Sequence, residues 1–431
     1  MAWDEASRRA QRAEKEKLRK AKQKKHIAIF TAVAVLAVAV IIAVALLSRC
    51  SGPAGTVPTN PTEPSQPVAT QPNVEAPTQP TEPPKEDTVI RFLAAGDLNI
   101  TENVVASGGD NYDFTRSFLD VSPILAGADL TSINLEGVLC GAPYGASGSA
   151  PIELAHALKR SGVDILQLAN SYAMHRGVSG LRTTIDAARA AGLEPVGVSR
   201  TPAEFQEKGG FTIFEVKGVR IAVVSFTKGM LDGTALPPGT ENMVNVLYTD
   251  YDSTYQKVAT AKITAILEAA QAQKPDITIA LLHWGSEYND NISKTQKTIA
   301  NLMLQNGVDA IIGTHPHRVQ QIQYDPENHT LVAYSLGDFF GDVPRSGSEY
   351  SILLELEITK RTDGTTLLTG YDYIPIFTQI EEGMQPRVLR IREAMAAYES
   401  GYVDRVSEQT YEAMKYALTR ITARITPPEE E

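Results

Sequence analysis

The sequence predicts an α/β domain built as two layered sheets flanked by helices, and three observations predict it. From Val89 onward, apolar runs of four to eight residues alternate with amphipathic stretches of helical period. Some runs are joined through short turns and others through helices, which mixes antiparallel with parallel connections. Five metal-capable side chains close four of the runs, and open α/β sheets keep their sites at strand ends.

Taken in order, Val89–Ala95 reads as a strand ended by Gly96-Asp97. Ile152–Ser161 has a helical period and leads into a strand at Val163–Leu168. Leu181–Ala191 is a helix stopped by Gly192, with a short strand at Pro195–Val198. Phe211–Val216 and Arg220–Ser225 flank Lys217-Gly218-Val219 as a hairpin. Helices over Ser253–Gln273 and Lys294–Gln305 precede the runs Ile277–Leu282 and Val308–Gly313. Thr330–Ser335 and Tyr350–Thr359 read as antiparallel strands. After Pro386 the sequence alternates apolar and charged residues at helical spacing to Ile425, as one or two helices packed on the domain or offered to a partner.

The regions before the domain are of different material. Residues 1–26 carry ten Lys or Arg against four acids, a charge of +6. Residues 27–48 contain no charge, and 22 such residues span roughly 33 Å as a helix, the thickness of a bilayer core. The basic flank places the N-terminus in the cytoplasm and the rest outside. A cleaved signal peptide fits less well, because the run is long and no small-x-small site follows. Residues 49–87 hold ten prolines between Pro53 and Pro84 and no apolar period. They read as a disordered spacer between a single-pass anchor and an extracellular domain over 88–385, with 386–431 as a helical extension.

The chain has 40 basic and 51 acidic residues, so removing the +6 tail from −11 leaves −17 on residues 27–431. That balance argues against nucleic acid as a partner, which demands a basic footprint. Two cysteines, Cys50 and Cys140, provide no disulfide framework, so stability comes from a core.

The five strand-end groups are Asp97, Glu136, His283, His315 and His317. The imidazoles of His315-Pro316-His317 follow an apolar run, and His283 closes a matching one. Neutral imidazole offers the lone pair that Zn, Mn or Fe needs. The bland alternative is that Pro316 sets a turn and the rings bond locally; three further groups at strand ends tip the balance toward metal. Glu287 is either an orienting carboxylate behind an imidazole or an ordinary surface acid.

Six motifs then occur in one order: Gly96-Asp97, Asn134-Leu135-Glu136, Leu168-Ala169-Asn170, His283-Trp284-Gly285-Ser286-Glu287-Tyr288, Gly313-Thr314-His315-Pro316-His317 and Tyr334-Ser335-Leu336-Gly337-Asp338-Phe339. Over residues 89–345 that order resembles the bacterial capsule-synthesis family CapA, of poly-γ-glutamate biosynthesis. The resemblance implies a calcineurin-like metallophosphoesterase fold, a four-layered α/β sandwich with one or two divalent ions at the strand ends. It implies a membrane-anchored extracellular protein that makes, exports or anchors an anionic polymer beside membrane capsule-synthesis proteins. Asn134, Asn170, Glu287 and Arg318 would then stand behind the ligands or against substrate.

The chain also departs from the family pattern. Ser171 stands where an Asn ligand is expected, and Tyr172 where related phosphoesterases keep a catalytic His. His175 replaces an Asp, Asp338 an Asn, and Asn99 lies where some phosphoesterases place a His ligand. Tyr172, with an ordinary pKa near 10, is a poorer acid at pH 7 than His. His175, three residues on, is either its substitute or a surface residue beside Arg176. Three functions follow: a metal-dependent hydrolase or transferase on a phosphate ester or γ-amide, a non-catalytic polymer-binding scaffold, or a wall-anchoring module with no ligand. Polymer binding by so acidic a protein requires local cations, for which His175, Arg176, Arg182, His315, His317 and Arg318 are candidates.

Overall fold

The structure, a computed structural model, describes residues 86–402 and 406–426. The anchor expected at 27–48 and nearly all of the Pro-rich spacer lie outside these residues. Among the described residues no helix is long and apolar enough to cross a membrane.

The chain lays down part of one sheet, completes a second, and returns to the first. Strands β1 (Thr88–Asn99), β2 (Leu130–Glu136), β3 (Ile165–Gln167) and β4 (Glu194–Val196) run side by side in parallel. Strands β5 (Phe211–Val216), β6 (Val219–Thr227), β7 (Ile277–His283), β8 (Ala310–Thr314), β9 (Ile322–Asp325) and β10 (Thr330–Ala333) make the second sheet, in the order β5-β6-β7-β8-β10-β9. Strands β11 (Asp338–Phe340), β12 (Tyr350–Lys360), β13 (Thr366–Gln379) and β14 (Arg387–Arg390) then rejoin the first sheet. Its order is β14-β13-β12-β1-β2-β3-β4, with β11 beside β1.

Side-chain alternation puts the two sheets face to face. Ile90, Phe92 and Ala94 of β1 point into a core shared with Ile221 and Val223 of β6, Ile279 and Leu281 of β7 and Ile312 of β8. The intervening residues point outward under helices. Leu93 and Ala95 meet helices α1 (Ile152–Arg160) and α2 (Gly177–Ala190). Ala222, Val224, Ala280 and Leu282 meet α3 (Thr260–Ala272) and α4 (Lys294–Leu304). The result is helix, sheet, sheet, helix: four layers, with the central strands β2, β7 and β8 buried on both faces. Helix stripes follow the same logic, with Ile263, Ile266, Leu267 and Ala270 of α3 at the spacing of one face.

Local chemistry explains the boundaries. The β5–β6 hairpin turns on Lys217 (φ 49°) and Gly218 (φ 77°), both left-handed as a two-residue turn of this kind requires. Helix α4 starts in a capping box: Ser293 Oγ accepts from Gln296 N at 3.1 Å, and Gln296 Oε1 accepts from Ser293 N at 2.9 Å.

Three expectations need correction. The helix expected from Ser253 begins only at Thr260, because the Asp250 carboxylate gathers the Thr254 hydroxyl and the backbone N–H groups of Gln256 and Lys257 into a turn. Strand β1 does not end at Gly96-Asp97 but continues to Asn99 across a bulge, with Ala95 and Asp97 opposite the consecutive residues Ile133 and Asn134. Strand β10 is parallel to β8 and antiparallel only to β9.

The C-terminal segment is continuous with the domain. β14 pairs with β13, and Met414, Ala417, Ile421 and Ile425 of helix α6 (Glu408–Ile425) pack into the core between the sheets, with α5 (Ile391–Glu399) beside it.

Gly96 is held by close approach rather than by a turn: a Cβ there would overlap the Gly337 carbonyl, which accepts from Asp97 N at 3.0 Å. Gly96→Ala is therefore expected to destabilise the domain by about 3 kcal/mol in urea unfolding, as overpacking against backbone does. An unchanged midpoint would show that the β1–β11 junction yields.

Candidate metal centre

Strand register assembles the site. β1 and β2 set Asp97 opposite Asn134 and Asn99 opposite Glu136, while β11 sets Asp338 opposite Asp97. In the second sheet β7 and β8 set His283 opposite Thr314, so His315 and His317 emerge from the neighbouring strand end. The two sheets bring these ends together. Asp97, Glu136, His283, His315, His317 and Asp338 are all buried.

They form three overlapping trios: Glu136 with His315 and His317, Asp97 with His317 and Asp338, and Asp97 with Glu136 and His283. Within each trio the ligand atoms lie within 4.8 Å of one another. His317 Nδ1 is 2.7 Å from Asp338 Oδ1 and 3.6 Å from Asp97 Oδ2, and the His283 and His315 rings are 4.4 Å apart between centroids. All five expected groups converge, and Asp338 joins them.

Two buried atoms test whether a cation suits this set. His315 Nδ1 has no hydrogen-bond partner, and Glu136 Oε1 lies 2.9 Å from His283 Nε2 without hydrogen-bond geometry. A buried imidazole nitrogen and a buried carboxylate oxygen that lack hydrogen-bond partners, on residues of one trio, match a place for a cation. Mixed carboxylate and imidazole donors suit Zn, Mn or Fe rather than Ca.

The surrounding groups hold the set rigid. Asn170 Nδ2 donates to Asn134 Oδ1 at 3.0 Å and to the Leu135 carbonyl at 2.7 Å, and Asn134 Nδ2 donates to Asp97 Oδ1 at 2.5 Å. The other Asp97 oxygen accepts from His315 N at 2.9 Å. His315 (φ 91°) and His317 (φ 52°) both adopt left-handed backbone, a strained state fixed by that bond and by Tyr288 N donating to the Pro316 carbonyl at 2.8 Å.

Electrostatics follow from burial. Removal from water pushes the Asp97 carboxyl up to about 7, with Glu136 adding repulsion, and pushes Glu136 up to about 7 likewise. The same burial lowers His283 to about 3 and drives His315 well down. Burial also lowers His317, but the charge and hydrogen bond of Asp338, with Glu136 and Asp97, outweigh it and carry His317 well up.

The departures from the family pattern land close by. Ser171 Oγ sits 2.9 Å from His283 Nε2. Tyr172 is half-buried, its hydroxyl pushed above its ordinary pKa by burial and then by Glu136, which makes it still less able to give a proton at pH 7. His175 is exposed, with Nε2 2.7 Å from the Ser147 carbonyl, so its ring is engaged by the loop and not by the cluster. Glu287 is exposed and does not contact an imidazole as an orienting group would; it lines a cavity beside His315. Arg318 donates to the Ser346 carbonyl and lies 6.0 Å over the Tyr288 ring, itself 5.3 Å from His317. Two residues were missed by sequence reasoning. Asp338 was noted only as a departure, and Lys228, whose N–H donates to the His283 carbonyl at 2.7 Å, closes β6 as the ligands close their strands.

Fold and cluster together define an α/β protein with a candidate divalent-metal centre at facing strand ends. The chain belongs to the bacterial capsule synthesis protein family PGA_cap, whose model matches residues 91–343. It is similar to the capsule biosynthesis protein CapA of Bacillus anthracis, 28% identical over 310 residues and 69% of each chain. It is similar to the PGA biosynthesis protein CapA of Bacillus subtilis (strain 168), 29% identical over 215 residues, 50% of this chain and 52% of that one. A solved structure of a novel phosphatase from Mycoplasma pneumoniae overlaps 67% of this chain and 94% of its own at 14% identity, with a TM-score of 0.41.

Ion uptake by this site is expected to release protons. Near pH 7 the ion-free site holds protons on His317 and partly on Asp97 and Glu136, whereas His283 and His315 are already neutral. The free state binds more protons than the loaded one, so raising pH favours loading. Affinity for Mn²⁺ should rise about tenfold per pH unit for each proton displaced between pH 6 and 8. Calorimetry in two buffers of different ionisation heat checks it, and a pH-independent affinity would contradict it.

Proposed function

We propose that the protein acts outside the membrane in making, exporting or anchoring an anionic surface polymer of the poly-γ-glutamate type, through a divalent-metal centre. The buried six-residue cluster with its two unpartnered atoms carries this conclusion. Membership of the capsule synthesis family and the names of the Bacillus relatives support the polymer. The four-layered sandwich with ligands at its strand ends supports the calcineurin-like metallophosphoesterase type. Membrane anchorage rests on the charge-free residues 27–48 behind a basic tail.

Asp97, Glu136, His283, His315, His317 and Asp338 are the proposed ligands, for one or two ions of Mn, Zn or Fe. A bound divalent ion supplies Lewis acidity and a water acidic enough to attack at neutral pH. Asn134 and Asn170 fix the Asp97 carboxylate, and Ser171 packs its hydroxyl against His283. With these groups the site acts as a hydrolase or transferase on a phosphate ester or on the γ-amide of the polymer. One observation favours a non-catalytic polymer-binding scaffold instead: neither Tyr172 nor His175 is set to protonate a leaving group.

Metal content is the deciding measurement. The full-length chain, purified in detergent without chelators, is expected to carry one or two ions by mass spectrometry. The His283→Ala, His315→Ala, His317→Ala triple variant should lose them. No bound metal after incubation with Mn²⁺ or Zn²⁺ would overturn the metal centre. A loaded protein that cleaves neither phosphodiester nor γ-glutamyl substrates would establish the scaffold.

A further inference from the structure

A cavity of about 420 Å³ adjoins the cluster through Ser171 and His315. That volume falls in the range of small-molecule pockets, roughly 300–1,000 Å³. Its charged lining is one cation, Lys228, and two carboxylates, Asp232 and Glu287, with Tyr255 as an aromatic wall. Lys228 is half-buried: Nζ donates to the Gly285 carbonyl at 2.8 Å and lies 4.9 Å over the Tyr255 ring. Gly285 uses one of its three N–H bonds, and among the described residues no carboxylate lies within ion-pair distance of it. A partly desolvated ammonium with donors to spare calls for an anion. Asp232 and Glu287 are exposed to the same space and offer acceptors to a cationic group.

A ligand of one sign satisfies only half of this lining. A phosphate monoester would meet Lys228 but be repelled by two carboxylates; a simple amine would meet the reverse. A zwitterion satisfies both. In a γ-linked polyacid each interior residue carries an α-carboxylate alone, because its amine is spent in the amide bond. Only the amino-terminal residue carries α-carboxylate and α-ammonium on one carbon.

We infer that this cavity seats the amino-terminal α-amino-acid residue of the polymer, its carboxylate on Lys228 and its ammonium between Glu287 and Asp232. The inference rests on the proposal that the substrate is γ-linked, and it adds that the chain is addressed at its amino end. The first amide bond then lies toward Ser171 and His315, where the cavity meets the cluster.

Calorimetry on the full-length, metal-replete protein tests it, with γ-glutamylglutamate and its N-acetyl derivative as probes. Acetylation, which removes the ammonium, should weaken binding at least tenfold. Lys228→Met should cost a similar factor, and Lys228→Arg should retain most of the affinity. In an Asp232→Asn, Glu287→Gln variant the free and acetylated probes should converge. Equal binding of both probes by the wild type, or binding of long γ-glutamyl polymer regardless of its amino end, would overturn the terminal pocket while leaving the polymer proposal standing. Binding of a free α-amino acid such as alanine through Lys228, with every γ-glutamyl probe silent, would uphold the cavity and overturn the polymer.

Discussion

The Asp97 carboxylate is the contact on which the two halves of the molecule depend. It is fully buried, and its two oxygens serve different sheets. One takes the Asn134 amide from β2, and the other takes the backbone N–H of His315 beyond β8. A carboxylate that accepts from both sides of the inter-sheet core fixes the separation of the strand ends more tightly than apolar packing, which tolerates sliding. The cost is a charge removed from water, met partly by those donors and otherwise by a raised pKa.

The cluster around it concentrates titratable groups at the facing strand ends. Three carboxylates and three imidazoles share one buried volume, and burial drives Asp97 and Glu136 toward protonation and His283 and His315 toward neutrality. His317 alone is drawn toward the charged state, because Asp338 sits 2.7 Å from its Nδ1. Where the family pattern has an amide, this chain has a carboxylate. The substitution adds a third carboxylate to the candidate ligand set, beside Asp97 and His317.

Much of this was legible in the sequence, and the illegible parts share a cause. Strand ends could be read because fully buried strands are continuous apolar runs, so Asp97, Glu136, His283, His315 and His317 stood out as polar groups at their limits. Register could not be read, and register is what sets Asp338 beside Asp97. Lys228 sits at a strand end like the others, but lysine is no metal ligand and gave no reason to be singled out. The overlong helix at Ser253 failed for a local reason: a periodic stretch is not helical when one carboxylate, here Asp250, collects the N–H groups of its first turns. Gly96 was read as the end of its strand, whereas the strand runs on past it and its missing Cβ makes room for the Gly337 carbonyl.

A polyanion and a protein with −17 on residues 27–431 should repel each other, and the arrangement of charge around the cluster bears on how they meet. Screening limits that repulsion to about 8 Å at physiological salt, so the local lining matters more than the total. Positive groups do gather at the site: Lys228 on the cavity, and Arg345 and Arg318 on the Tyr288 ring at 4.4 and 6.0 Å. They are few, and Asp232 and Glu287 stand among them. A long groove for many carboxylates would require a continuous basic track, and these three cations do not form one. A single pocket for the one polymer residue that carries its own positive charge avoids that requirement. Under the inferred pocket, a chain end is therefore engaged without the continuous basic track that a groove would need.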